Sequence, residues 1–241
     1  NNQPEAVDGY LYPGYYLPKD RAKRISGFLA PKDNWTKEEV GKMMNDNTSA
    51  VATTIVANLM MTLDQKSLSN NEKLAVIILK KWKGSNDLKD LAPTIYNKWI
   101  NNYLKNTFQD ELGETDFAML LSTHIIKQII EPQIQNENSI WWDNVATKSK
   151  KESRVEILSK SFHEAIVALE KQLGKDLNLW TWNKVHSLEH KHPLGQVAAL
   201  RGLFNIGAFE VSGSNEVINN LMFGFTDSGN YKVLAGPSTR R

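Results

Sequence analysis

The stretch KKESRVEILSKSFHEAIVALEKQLG, residues 150–174, carries the clearest helical pattern in the chain. Its apolar side chains recur every three or four residues, as on one face of an α-helix; they are Val155, Leu158, Phe162, Ile166, Leu169 and Leu173. Gly174 follows directly, and glycine is common just past the end of a helix. The pattern predicts a helix over residues 150–173 that packs through this face, with the charges of residues 148–154 at a solvated helix start.

Further helical patterns lie on the N-terminal side of this stretch. Thr36 with Glu39, and Ser69 with Glu72, have the spacing of capping boxes and predict helices that run through Met44 and up to Gly84. Residues 50–63 are apolar enough for a buried helix, and the pairs 95–96, 99–100 and 103–104 share one face of another. A last pattern covers residues 115–130, and Pro132 is predicted to end it.

The composition changes from Trp180 onward. Residues 209–211 and 231–234 have strand character, loops rich in Gly and Asn separate them, and residues 198–204 can form a short helical turn. The predicted fold class is therefore mainly α, with a few short strands near the C-terminus. We divide the chain into an opening loop and linker (1–34), a helical domain (35–178) and a Trp- and His-rich segment with short strands (179–241), together one compact but incomplete unit.

Composition excludes several classes of function. Of the 241 residues, 41% are hydrophobic and 23% charged, which suits a soluble core, and the net charge of +2 is too small to indicate nucleic acid or membrane as a partner. There is no cysteine, so disulfides, thiolate metal sites and a cysteine nucleophile are absent. No apolar run approaches the eighteen or so residues of a membrane span. No signal peptide is visible either, although an initial Asn is compatible with a leader removed upstream.

Three histidines near the C-terminus invite a metal interpretation. His186 and His190 are four residues apart, as two ligands on a helix would be, but the glutamate of an HExxH motif is missing. His192 is followed directly by Pro193, and no cysteine or suitable carboxylate lies nearby. Structural or surface histidines are therefore favoured over a zinc site. Phosphate-binding glycine motifs and a GxSxG elbow are also absent, so no nucleophile can be named within these residues.

The opening two dozen residues are rich in Pro, Gly, Tyr and Asn, have no helical or strand period, and end in a basic cluster. Loops held by a rigid scaffold commonly carry functional side chains. The amide of Asn1 can donate to a developing oxyanion, and Arg21 can bind a carboxylate or orient a reacting loop. Composition alone favours a solvated terminus and a surface arginine, so the functional interpretation needs further support.

The whole chain resembles the central part of the β chain of penicillin acylases, or penicillin amidases, of the N-terminal-nucleophile hydrolase superfamily. The resemblance lies in two groups of residues. The first group is the opening Asn1-Asn2-Gln3-Pro4, the run Asp20-Arg21-Ala22-Lys23-Arg24-Ile25, and Trp35 with the capping box after it; the second is Trp180-Thr181-Trp182 through His186, with His192-Pro193-Leu194-Gly195. It implies a mainly helical fragment, excised from an αββα hydrolase, in which residues 1–34 form the active-site loop and linker.

The resemblance also implies a mechanism and a set of partners. In this family a precursor cuts itself so that a serine begins the β chain, and its own α-amino group serves as the base. Residue 1 here is Asn, so that serine is expected upstream, and this chain by itself is expected to be inactive. Asn1 corresponds to the asparagine of the oxyanion hole, and Arg21 to an arginine that supports the active site. The remaining α- and β-chain segments of the precursor and a small-molecule amide are the implied partners.

Four points stay open from the sequence alone. Some family members bind calcium, for which Asp8 is the nearest candidate, although a single aspartate is far from a full ligand set. An exported location, periplasmic or secreted, follows from the resemblance alone, as does the range of substrates: penicillins, cephalosporins, acyl-homoserine lactones or other amides. The alternative to the enzyme is a free-standing helical interaction module with no chemistry, which would have natural ends near Asn1 and Arg241.

Overall fold

A computed structural model describes residues 4, 6–10, 12–14, 16–225 and 229–236. These residues form eight α-helices: α1 (Asp20–Leu29), α2 (Lys37–Met44), α3 (Ala52–Thr62), α4 (Asn70–Lys81), α5 (Ala92–Ser122), α6 (Ile125–Gln135), α7 (Arg154–Leu173) and α8 (Arg201–Phe204). Three strands, β1 (His186–His190), β2 (Ile206–Glu210) and β3 (Tyr231–Lys232), form one sheet in the order β2-β1-β3. The predicted mainly α class is confirmed. Among the helices of the described ranges, none combines the length and the apolar content that crossing a bilayer requires.

Helix α7 lies at the centre of the core. It begins at Arg154, not at residue 150, because Ser153 and Glu156 form a capping box in which each side chain accepts a hydrogen bond from the other residue's backbone N–H. It ends at Leu173, and Gly174 has a φ of 91°, which suits glycine. Its buried stripe is broader than predicted and is turned away from Val155, whose 38% exposure contradicts the predicted inward position. The buried residues are Ile157, Leu158, Ser161, Phe162, Ala165, Ile166 and Leu169.

The capping box of α7 gives a first testable prediction. Replacing Ser153 with alanine removes the acceptor for the Glu156 N–H, which lies 3.3 Å away. We expect the free energy of unfolding to fall by about 1 kcal/mol, the usual loss for such a cap. Ser149→Ala is the matched control, since this exposed serine lies outside the helix. Urea titration measures both variants, and equal stability of the two would show that the cap contributes nothing.

Helix α5 packs along α7, and α3, α4 and α6 complete the core around this pair. As predicted, the pairs 95–96, 99–100 and 103–104 lie on its inward side; Ile95, Trp99 and Tyr103 are fully buried. The rings of Trp99 and Phe162 lie 4.6 Å apart between centroids, and the Trp99 indole N–H donates to the Leu158 carbonyl at 3.2 Å. The helix changes direction at Gly113, where φ is 72° and ψ is 174°.

The prediction for residues 115–130 is wrong in two respects. The segment is not one helix, because α5 ends at Ser122 and α6 begins at Ile125, with an extended residue, Thr123, between them. Pro132 does not end α6 but lies inside it. A proline removes the hydrogen bond to the carbonyl four residues earlier and crowds that carbonyl, but the carbonyl of Pro132 still accepts from the N–H of Asn136 at 3.1 Å, so the helix continues past it.

The C-terminal segment forms the small sheet. Strand β1 pairs with β2 antiparallel and with β3 parallel. The two predicted strands are thus present in shifted positions, residues 198–204 form the predicted helical turns, and β1 was missed. Because His186 and His190 lie on a strand, they are separated by about 13 Å at about 3.3 Å per residue. The helical spacing considered for a metal pair therefore does not occur.

Candidate functional site

Asp20, the first residue of α1, links this helix by hydrogen bonds to the N-terminal end of α3. Its side chain is buried, with the residue only 5% exposed, and both carboxylate oxygens accept hydrogen bonds. Ser49 Oγ donates to Oδ2 and the backbone N–H of Ala50 donates to Oδ1, each at 2.6 Å. Ser49 Oγ itself accepts from the N–H of Ala52, the first residue of α3, at 2.9 Å. Burial raises the pKa of Asp20 to about 6, against the lowering effect of these hydrogen bonds.

Arg24 makes a second attachment one helical turn further on. Its guanidinium binds the Asp46 carboxylate through two bonds, Nε to Oδ1 at 2.9 Å and Nη2 to Oδ2 at 2.7 Å. Residues four apart on a helix lie on the same face, so Asp20 and Arg24 both point from α1 toward residues 46–50. A paired Arg–carboxylate contact fixes direction as well as distance.

Residues 46–50, which we call the junction segment, also bind two loops that are remote in sequence. The Asp46 carbonyl accepts from the N–H of Asn219 at 2.7 Å, and the Ser49 N–H donates to the carbonyl of Gly84 at 2.9 Å. A side chain at Gly84 would not fit, because its Cβ would lie 2.5 Å from the Ser49 carbonyl oxygen and its φ is +88°. The junction segment therefore fixes α1 relative to the rest of the molecule.

A groove opens on the other side of α1, and Arg21 lies in its wall. The groove is lined by Leu17, Pro18, Arg21, Ala22, Ile25, Ser26, His124, Glu216, Asn220 and Met222. Arg21 is half-buried, its Nε is inaccessible, and the described residues offer this nitrogen no hydrogen-bond partner. Glu216, the acidic residue of the groove, is already paired with Lys127 at 2.7 Å, and both side chains are at most 13% exposed. Within the described ranges Arg21 thus remains a cation that no carboxylate neutralises.

Of the predicted site residues, the structure describes Arg21 and Asp8 but not Asn1. Arg21 lies on α1, whereas Asn1 lies outside the described residues, so the role of Asn1 stays a prediction. Asp8 is exposed in a tight turn closed by a hydrogen bond from the Tyr10 N–H to the Val7 carbonyl at 2.9 Å. Calcium takes six to eight oxygen ligands, and the described residues contain no group of three or more His, Cys, Asp or Glu that could hold a metal. The calcium role of Asp8 stays a prediction.

The histidines of the C-terminal segment have structural environments. His186 is fully buried and stacks on the Trp182 ring at 4.7 Å. Its Nδ1 lies 2.9 Å from the Val211 carbonyl oxygen, and burial lowers its pKa. His192 Nδ1 accepts from the N–H of Leu194 at 3.2 Å. These contacts fit the structural role favoured from the sequence.

Sequence reasoning missed the residues that hold α1 in place. Asp20 entered only as the first residue of the run 20–25 that carries the resemblance, and no site role was predicted for residues 46–49. Ser49 accepts from the N–H of Ala52 but lies two residues before Val51, the N-cap position of α3, so the capping rule does not single it out. Its contact with Asp20 spans 29 residues and has no local signature.

The comparison with known proteins now assigns the chain to a class. The family model for penicillin amidase matches residues 1–241, the entire chain, and the chain therefore belongs to the penicillin amidase family. It is also similar to the acyl-homoserine lactone acylase QuiP of Pseudomonas fluorescens (strain Pf0-1), with 28% identity over 160 residues. That match covers 62% of this chain and 18% of the relative, so it spans about a fifth of the relative's length.

Proposed function

We propose that this chain is the part of a penicillin-amidase-type amidohydrolase that supplies Asn1 as an oxyanion donor and Arg21 as a supporting residue. The reaction is hydrolysis of the amide bond in N-acylated small molecules. The nucleophile, an N-terminal serine, lies outside residues 1–241, and the remaining α- and β-chain segments of the precursor complete the site. The chain alone is inactive.

The observation that carries this proposal is the state of Arg21. It is a half-buried cation in a groove wall, shortly after the opening loop, and no described carboxylate pairs with it. Glu216, the acidic residue that lines the same groove, forms an ion pair with Lys127. A fixed positive charge in a partly water-excluded site stabilises negative charge that develops during a reaction. Family membership over the whole chain supplies the reaction class.

The proposed steps use few groups of this chain. The serine hydroxyl attacks the amide carbonyl carbon while the α-amino group takes its proton. The carbonyl oxygen becomes an oxyanion, which accepts from the Asn1 side-chain amide and from a backbone N–H elsewhere in the protein. Collapse re-forms the carbonyl and breaks the C–N bond, and the amine leaves with the proton. Water then attacks the acyl-enzyme by the same route and releases the acid.

The choice of substrate rests on the similarity to an acyl-homoserine lactone acylase. N-acyl-homoserine lactones are therefore the first candidates, and N-acylated β-lactams such as penicillins are the second. Both present an amide between an apolar acyl group and a polar amine. A periplasmic or secreted location is part of the same proposal.

The test is a pair of variants in the complete, matured protein. We expect Arg21→Met to lower kcat/KM at least tenfold on acyl-homoserine lactones or penicillins, because the unpaired charge is lost. Lys23→Met removes an exposed cation from the same helix and should change kcat/KM less than twofold. Residues 1–241 alone should release no product. Equal rates for Arg21→Met and wild type, or turnover by the isolated chain, would contradict the proposal.

A further inference from the structure

The side chain of Arg21 forms no hydrogen bond or ion pair with the described residues. The backbone of α1 therefore sets the direction in which this side chain points. Two contacts hold that backbone. Asp20 precedes Arg21 directly and accepts from Ser49 Oγ and the Ala50 N–H at 2.6 Å each. Arg24 binds Asp46 one turn later. Both contacts end on the junction segment, residues 46–50.

The two contacts differ in what they control. The Arg24–Asp46 pair is half-exposed on the arginine side, with 34% of that side chain accessible, and it acts a full turn away from Arg21. The Asp20 contact is buried and acts at the residue before Arg21. It also joins α1 to the N-terminal end of α3, a helix of the core. A shift of Asp20 therefore moves Arg21 directly.

We infer that Asp20 is a positioning residue of this site, which acts on the reaction only through the placement of Arg21. The inference rests on the proposed function of Arg21. Displacements of about 1 Å in a positioned group can lower a rate by as much as a hundredfold. A contact that fixes the first turn of α1 is thus sufficient to affect turnover without touching substrate.

The groups around Asp20 set the pH at which it takes up a proton. Glu216 faces it and favours its protonated form, while Ser49 and Ala50 favour the carboxylate. Lys127 of α6 pairs with Glu216, Arg24 lies on the same face of α1, and Tyr96 of α5 lies within the electrostatic range of Asp20. Burial places the pKa of Asp20 at about 6. Protonated Asp20 still accepts from the Ala50 N–H through one oxygen and donates to Ser49 Oγ through the other, so the contact keeps both hydrogen bonds and loses only its charge.

A double-mutant cycle in the complete, matured protein separates positioning from simple stability. We expect Asp20→Ala to lower kcat about tenfold in the wild-type background and less than twofold in an Arg21→Met background. Its effect on the melting temperature should be the same in both backgrounds. If Asp20→Ala lowers kcat tenfold in both, Asp20 acts independently of Arg21 and the inference is wrong, while the proposed function stands. If Arg21→Met alone changes nothing, both the proposed role of Arg21 and the inference fail.

The conservative variant Asp20→Asn supplies a second readout and does not depend on tolerance of a truncated side chain. Its amide can accept from Ala50 and donate to Ser49, so the contact persists without a titrating group. We expect Asp20→Asn to retain kcat within about threefold of wild type at pH 7.5. A kcat for Asp20→Asn as low as that of Asp20→Ala would overturn the inference.

Discussion

Replacing Asn1 with alanine in the complete, matured protein is expected to lower kcat by about 10²–10³-fold, with little change in KM. The amide of Asn1 is proposed to bind the oxygen only when it carries charge, so its loss raises the barrier by about 2.7–4 kcal/mol and leaves substrate binding nearly unchanged. Steady-state kinetics on an acyl-homoserine lactone or a penicillin measures both constants.

Two controls make this result specific to Asn1. Asn2→Ala changes the adjacent residue of the same type and should retain most of the wild-type kcat. Mass spectrometry shows whether the proposed N-terminal serine has been released, so that a failure of the proposed self-cleavage is not mistaken for a slow reaction. Wild-type kcat in matured Asn1→Ala would remove Asn1 from the mechanism, and equal losses in both variants would point to damage of the loop.

Replacing Trp99 with alanine is expected to lower the free energy of unfolding by about 3–5 kcal/mol, the usual cost of truncating a buried aromatic residue. Trp99 of α5 is fully buried, its ring lies 4.6 Å from that of Phe162 on α7, and its truncation removes the indole hydrogen bond to the Leu158 carbonyl of α7.

Val155→Ala is the matched control for Trp99→Ala. Val155 lies on α7 but outside its buried stripe, with 38% of its surface exposed, so its truncation should cost well under 1 kcal/mol. Urea unfolding of both variants gives the two free energies. A loss below 1 kcal/mol for Trp99→Ala would mean that α5 and α7 do not form the core described above.

Local sequence rules predicted the helix starts well. The capping boxes at Thr36 and Ser69 are both present, because the cap and its partner are only three residues apart. The same rule, applied to Ser153 and Glu156, would have placed the start of α7 correctly.

The choice of buried face was harder to predict. Helix α4 has apolar residues on several sides, and the structure buries Ala75, Val76 and Leu79, whereas Leu74 and Ile77 are 49% and 47% exposed. The spacing of apolar residues alone cannot show which of these faces is buried, because the neighbouring elements decide which side of the helix is covered. The same reason explains the error at Val155.

The candidate site was predicted only in part. Arg21 was identified through the resemblance, but the sequence analysis placed it in a loop and linker, whereas the structure places it on α1. The contacts that orient it, Asp20 to Ser49 and Arg24 to Asp46, join residues 29 and 22 positions apart. A pairing over such a distance depends on how the helices pack, which no local pattern encodes.

Gly84 makes the position of α1 depend on a residue that lies outside the groove. Because a Cβ at Gly84 would lie 2.5 Å from the Ser49 carbonyl oxygen, even alanine would push the junction segment aside, and α1 is bound to that segment. A random mutant library screened for loss of hydrolysis should therefore contain Gly84 variants, although Gly84 takes no part in the proposed reaction. Engineers who want to redirect specificity would do well to leave it untouched while they vary the walls around Arg21.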